Sequence, residues 1–466
     1  MSDYLWTVDE LIRATGGTLH GDVAGINGLA FDSREAKAGD LFLALKSDSE
    51  AGDGHNYVAS AAANGAALSL VSHLIDNAGP QLLVANTTKA LNDIAIDARS
   101  RAPAKRAAVT GSVGKTGTTR AIEACLAAAG PAHGPVGSFN NHIGVPLTLA
   151  RMPRTTQRAV FELGMNHAGE LTPLSQLVQP QVALITTVGA VHAEHFPDGE
   201  EGIARAKGEI FAGLQPGGLA VLNRDNQWYD LLEGLAKDAG ARIASFGAHE
   251  SATARLTGSH ALDDGLQIEA VIDGAPVSFS LRQHGSHWAL NSLGILLVLD
   301  AMDVSRETAV AALKNFAPLA GRGENHTIPL TGGSFRMIDE SYNANPISMK
   351  ATLDYLGTQA GRKIAVLTDM LELGPRGAEW HADIARMVED NKIDLVYAAG
   401  PLMQNLWDAL PQSRRGGYAE KAADLIPELT QSLQPNDVVL VKGSKGSKAA
   451  SIAAALVALK NPGKAA

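Results

Sequence analysis

Cysteine is almost missing from this chain: Cys125 is the only one among 466 residues. No intramolecular disulfide can form, which favours a reducing compartment. A basic excess is missing too. Lys and Arg number 39 against 49 Asp and Glu, a net charge of −10, which excludes broad contact with nucleic acid or an anionic membrane, since either needs a basic face. Anionic ligands then require local clusters of Lys, Arg and backbone N–H groups. Long apolar runs are absent as well. The run LGILLVL at residues 293–299 falls far short of a bilayer span. Residues 1–17 mix Asp and Glu into their apolar positions, unlike a secretory segment. The expectation is a soluble, cytoplasmic protein with no stable membrane insertion and no nucleic-acid partner.

What is present is ordinary globular composition, 45% hydrophobic and 19% charged, which excludes disorder for the bulk of the chain. The length is too great for one compact core. Three zones separate on pattern. The first carries short strand-like pieces, Gly/Asp turns and Ala-rich amphipathic segments. A basic stretch, RSRAPAKR at residues 99–106, reads as a linker. Beyond it, apolar runs at residues 107–109, 159–165, 182–188 and 219–222 alternate with helix-like segments. That is the signature of a mostly parallel sheet under covering helices. A β-like insert over residues 254–285 precedes a long helical segment at 287–301. The third zone repeats the alternation through FRMIDE, KIAVLTDM, IDLVYAAG and DVVLVKGS, as a small doubly wound domain does. The fold class is therefore α/β in three domains, 1–104, 105–318 and 319–466.

The middle zone opens with AAVTGSVGKTGTT at residues 107–119, a Gly-rich turn between a strand and a helix. Small residues there let backbone N–H groups turn inward on phosphate oxygens, and the helix start adds its positive dipole end. Lys115 then suits the β- and γ-phosphates, and the Thr116 hydroxyl suits Mg²⁺. The general phosphate-loop pattern asks for a glycine where this chain has Val109. A Gly-rich turn with a surface lysine is the plainer alternative.

In GEEGIARAKGEIFAGL, residues 199–214, spacings of three and four place Lys207 with Ile203, Ile210, Phe211 and Leu214 on one apolar helical face. A lysine there must snorkel, pair with Glu201 or Glu209, or lose its charge. A neutral amine can instead react with carbon dioxide to form a carbamate, a metal-binding anion. Periodicity leaves the choice open. Glu162 ends one apolar strand, and His192 and His195 follow another. Residues leaving the C-terminal ends of adjacent strands are where an open α/β sheet builds its site.

Taken together, TGSVGKTGTT, SFNNHIGVPLTL (138–149), FELGMNHAGE (161–170), VHAEHF (191–196), DESYNANPISM (339–349), FDSREAKAGDLF (31–42) and DGH (53–55) resemble the Mur ligases of bacterial cell-wall synthesis, across nearly the whole chain. The first block is similar to that family's shortened phosphate loop. The resemblance implies a nucleotide-sugar-binding first domain, a central ATPase-like parallel sheet and a Rossmann-like last domain. It implies Gly111, Ser112, Val113, Gly114, Lys115, Thr116 and Gly117 around ATP, with Asn291 at the adenine, and Arg322 and Glu340 at the nucleotide from the last domain. Mg²⁺ would be held by Thr116, Glu162, His192 and a carbamylated Lys207, with Lys115, His192, Lys207 and Arg322 carrying catalysis. Asn140, Asn141, Tyr342, Asn343 and Asn345 would line the substrate side, and Ser33 and Arg34 the uridine nucleotide. His195 is left as structural. Departures from the family pattern are Glu340 in place of Asp, Thr368 in place of Gly and Lys445 in place of Arg. The SYNANP block is where the resemblance narrows, and what the resemblance implies is ATP-dependent joining of D-alanyl-D-alanine to UDP-N-acetylmuramoyl-tripeptide, through an acyl phosphate, by a monomer. A ligase adding the third residue, a folylpolyglutamate synthase and a nucleotide-binding regulator without catalysis are the alternatives.

Overall fold

The computed structural model describes residues 4–46, 52–190, 193–262 and 264–460. Among the described residues three large sheets carry the chain, beside a two-stranded pairing of Trp6–Thr7 with Gly25–Ile26. The first has five strands, ordered Thr18–His20, Gln81–Leu83, Leu68–Val71, Asp40–Leu43 and Gly28–Ala30. Helix Thr87–Arg101 packs on it through Ala90, Leu91, Ile94 and Ala98.

The middle sheet has nine strands. Ala132–His133, Arg158–Glu162, Lys105–Thr110, Val182–Ile185, Leu219–Asn223 and Arg242–Gly247 run parallel, and the meander Ala254–Leu262, Gly265–Ile272 and Ala275–Leu281 extends one edge. Its central strands are apolar without interruption because both faces are covered. Helices Lys115–Ala128, Ser286–Ala301 and Arg306–Asn315 bury one face; Gly144–Ala150, Leu171–Val178, Gly199–Gly208 and Tyr229–Asp238 bury the other. The run at residues 293–299 is thus the core of Ser286–Ala301. Among the described residues no helix is long and apolar enough to cross a membrane.

The last sheet is ordered Glu324–Leu330, Gly333–Glu340, Val438–Lys442, Lys363–Thr368, Leu395–Ala399 and Arg415–Ala419, parallel except for its first strand. Helices Pro346–Gly357, Gly377–Asp390 and Met403–Ala409 cover one face, Ala422–Ser432 and Ala449–Ala458 the other. Glu340 and Lys442 are register partners at the C-terminal ends of two central strands, where ligands enter such sheets.

Residues 99–106 depart from the linker expectation. Helix Thr87–Arg101 runs through Arg101, and strand Lys105–Thr110 begins four residues later. The basic side chains are pinned: the Arg106 Nε donates to the Val178 carbonyl at 2.7 Å, and the Arg101 guanidinium lies 3.3 Å from the centre of the Trp6 ring. Trp6 is fully buried and donates from Nε1 to the Ala150 carbonyl at 2.9 Å. The Arg151 Nε donates to the Leu29 carbonyl, also at 2.9 Å. The first domain is therefore docked on helix Gly144–Ala150 of the middle domain. Arg106 and Arg151 here serve as donors to backbone carbonyls.

Candidate active site

The site begins at the turn between strand Lys105–Thr110 and helix Lys115–Ala128. Gly111 has φ +149°, and a Cβ there would lie 1.9 Å from the Thr186 Oγ1. Gly114, at φ +83°, caps the helix and faces the Asn291 Nδ2. The loop is held from behind. The Thr186 Oγ1 donates to the Val113 carbonyl at 2.6 Å, and the Ser112 Oγ donates to the Gly189 carbonyl at 2.9 Å. The Lys115 Nζ curls back to the Gly111 carbonyl at 2.7 Å, so the surface-lysine alternative fails.

Around this turn is a cavity of about 510 Å³, lined from the middle domain by residues 112–117, Asn140, Glu162 and Asn291 and from the last domain by Arg322, Glu340, Tyr342, Asn343, Asn345 and Lys442. Separate stretches of sequence thus converge on one space. The Tyr342 hydroxyl donates to the Ser138 Oγ at 3.1 Å, and Ser138 is 3.3 Å from the Thr116 Oγ1. The Arg322 guanidinium stacks 3.9 Å from the centre of the Tyr342 ring. This cation–π contact holds the arginine at the junction of the two domains.

Charge in this space is poorly compensated. Glu162 is 1% exposed; its Oε1 accepts from the Asn140 Nδ2 at 2.7 Å, while its Oε2 is buried with no hydrogen-bond partner among the described residues. Lys207 does not itself line the cavity and is 3% exposed. Burial pushes its pKa well below the usual lysine range, and the nearby Lys115 ammonium adds to this. Neither Glu201 nor Glu209 pairs with it. Glu201 accepts from Arg205 at 2.7 Å, and Glu209 accepts from the Gly169 and Thr172 amides at 2.6 and 3.2 Å. Burial also lowers the Lys115 pKa, with Glu162 opposing and Arg322 reinforcing the shift. An orphaned carboxylate oxygen and a threonine hydroxyl line the cavity, and the Lys207 amine lies near enough to feel the Lys115 charge. That chemistry fits a hard divalent cation and nucleotide phosphates.

Several sequence-derived candidates lie elsewhere. His192 falls outside the described residues. Asn141 is exposed and does not line the cavity; its Oδ1 accepts from the Ile143 and Gly144 amides at 3.2 and 2.9 Å, serving the start of helix Gly144–Ala150. Asn345 lines the cavity yet spends its Oδ1 capping helix Pro346–Gly357 through the Ser348 amide. Ser33 and Arg34 belong to the first domain and do not line the cavity; Arg34 is tied to Asp32. His195 sits 3.4 Å from Glu194 and against the His167 ring.

Two titratable cavity residues escaped sequence reasoning. His287, four residues before Asn291 and therefore on the same helical face, has a buried Nδ1 without a partner among the described residues. Burial and the Lys442 charge push its pKa down to about 4, so the ring is neutral at physiological pH. Lys442 closes an apolar strand. The two signals were a histidine beside the adenine candidate and a lysine ending VVLVK.

Comparison with known proteins places this geometry. Residues 109–299 match the Mur ligase middle domain, and residues 326–445 match the Mur ligase glutamate ligase domain. Over 448 residues the chain is 32% identical to the UDP-N-acetylmuramoyl-tripeptide–D-alanyl-D-alanine ligase of Rickettsia prowazekii, covering 95% of this chain and 98% of that protein. The crystal structure of MurF from Acinetobacter baumannii superposes with a TM-score of 0.84 at 32% identity, covering 97% of this chain and 98% of the other. MurF ligase from Thermotoga maritima, solved in complex with ADP, shares the fold at 22% identity, with a TM-score of 0.78 and coverage of 93% and 98%. This chain belongs to the Mur ligase family.

Proposed function

We propose that the chain is an ATP-dependent ligase that joins D-alanyl-D-alanine to UDP-N-acetylmuramoyl-tripeptide in peptidoglycan precursor synthesis. The observation that carries this reading is the single cavity in which the phosphate turn of the middle domain meets Arg322 of the last. Its full-length relatives include ligases of that name. The domain limits 1–104, 105–318 and 319–466 go with it.

In this reading the terminal carboxylate of the tripeptide attacks the γ-phosphorus of ATP. The P–O bond to ADP breaks, and an acyl phosphate forms. The amine of D-alanyl-D-alanine then attacks the acyl carbonyl, a proton is lost from nitrogen, and phosphate leaves. Two anions must meet in the first step. Lys115 and Arg322 are fixed cations suited to neutralising them in a water-poor cleft. Glu162, Thr116 and Lys207 would hold Mg²⁺, Lys207 after its neutral amine adds carbon dioxide and releases a proton; a bound Mg²⁺ would supply further neutralisation of phosphate charge. Asn291 and Gly114 flank the nucleotide side, and Asn140, Tyr342 and Asn343 face the acceptor. In this reading the chain is a cytoplasmic monomer, and the lone buried Cys125 suits a reducing compartment.

The test is phosphate release from ATP with UDP-N-acetylmuramoyl-tripeptide, with and without D-alanyl-D-alanine. Release stimulated by the dipeptide, with the elongated UDP-linked product formed, is expected. Release indifferent to the dipeptide, or product formed from a UDP-linked dipeptide and a single amino acid, overturns the reading in favour of a third-residue-adding ligase.

A further inference from the structure

Lys442 lies at the end of the strand Val438–Lys442, VVLVK, every residue of which is buried. It is 1% exposed. An apolar residue would continue the pattern at no electrostatic cost, whereas a buried ammonium must be compensated. The compensation is specific. The Lys442 Nζ donates to the Asn343 carbonyl at 3.1 Å and sits 3.6 Å from the Glu340 Oε2, its register partner on the neighbouring strand. All three residues line the nucleotide cavity.

We propose that Lys442 is a positioning residue: anchored on the Asn343 carbonyl, it holds Glu340 as a carboxylate acceptor aimed into the cavity for the nucleotide. The inference rests on the reading that Glu340 contacts nucleotide. A carboxylate accepts hydrogen bonds through both oxygens, while a carboxylic acid must spend one as a donor. Glu340 is therefore useful to the hydroxyls of a nucleotide sugar only while ionised. Its surroundings push both ways. Burial raises its pKa above the usual carboxylate range, and Asp339 on its own strand adds to this; Lys442 and then Arg322 pull it back. Tyr355, from helix Pro346–Gly357, also feels the Glu340 charge, and His287, across the domain junction, feels that of Lys442. His287 is neutral, so Lys442 and Arg322 are the cations that favour the ionised form of Glu340 against its burial, and Lys442 is the one in register with it.

The experiment is ADP binding to the full chain by calorimetry across pH, for the wild type and three variants. Glu340→Gln weakens ADP binding if the nucleotide reading is right; an unchanged affinity overturns that reading. Lys442→Met is expected to make ADP affinity fall by about tenfold for each pH unit on the acid side of the freed Glu340, as one titrating group requires. The wild-type profile stays flatter, and Lys442→Met/Glu340→Gln returns to the wild-type slope, because nothing is left to titrate. A purely structural role weakens binding equally at every pH. If Glu340→Gln weakens binding but Lys442→Met keeps the wild-type slope, the positioning role is overturned and the nucleotide reading survives. Should Lys442→Met not fold, the infrared difference between wild type and Glu340→Gln at neutral pH decides. An ionised Glu340 shows no protonated-carboxyl band, and the presence of that band overturns the proposal.

Discussion

At the scale of single residues, the site holds buried charge that is only partly compensated among the described residues. Lys207 could have been an ordinary helix lysine bridging to a carboxylate one turn away, and periodicity alone allowed it. Spacing reports which face a side chain occupies, not who else has claimed the nearby carboxylates. Here Arg205 holds Glu201, and the amides of Gly169 and Thr172 hold Glu209. Burial was therefore legible in the sequence and isolation was not. Burial, with the nearby Lys115 charge, lowers the Lys207 pKa well below the usual lysine range and so favours the neutral amine, the form that adds carbon dioxide. Lys207→Ala is accordingly expected to lower kcat by about 10²-fold or more, the scale of losing one charge-stabilising group. Added short carboxylates such as acetate should partly restore the rate. Steady-state phosphate release measures both effects, and a variant with wild-type activity would refute the carbamate role.

At the scale of elements, the phosphate turn was readable because strand and helix flank it, even though Val109 breaks the general motif. Its backing was not readable. Thr186 is 75 residues beyond Gly111 in sequence, yet its hydroxyl fills the space where any Cβ on Gly111 would fall, 1.9 Å away. Gly111→Ala must push Thr186 off the Val113 carbonyl or shift the loop. Overpacking of this kind costs about 1–3 kcal/mol. Expected results are a thermal midpoint lower by a few degrees and ATP binding weakened beyond what that loss explains, read by melting with and without nucleotide. An unchanged midpoint together with unchanged ATP affinity would mean the loop is not held from behind as described. The same blindness to distant partners explains Asn141 and the stretch at residues 99–106. An asparagine and a basic run look like a ligand set and a linker in sequence; their partners, the amides of Ile143 and Gly144 and the carbonyls of residues 176–179, are supplied by folding.

At the scale of the whole molecule, the order of three domains was visible in the alternation of strands and helices, but not which surfaces meet. The two junctions differ in kind. Between the first and middle domains, the fully buried Trp6 packs with Leu147 and Ala150 in a shared apolar core. Between the middle and last domains, the contacts are thinner: the Tyr342 hydroxyl on Ser138, the His284 ring stacked on Tyr355 at 5.3 Å, and Ile347 over Gly189. A polar junction of that sort contributes about 0.5–1.5 kcal/mol per hydrogen bond, little enough that a ligand contacting both sides can shift its equilibrium. Lys115 and Arg322 lie on opposite sides of it, so a triphosphate touching both favours the closed form. Small-angle scattering is therefore expected to show a smaller radius of gyration with a non-hydrolysable ATP analogue and UDP-linked tripeptide than without them. Tyr342→Phe, which loses the Ser138 bond, should make the ligand-free chain more open and raise the ligand concentration needed for compaction. Profiles that coincide with and without ligands would mean that the two domains are already fixed, and that water is kept from the acyl phosphate by something other than closure.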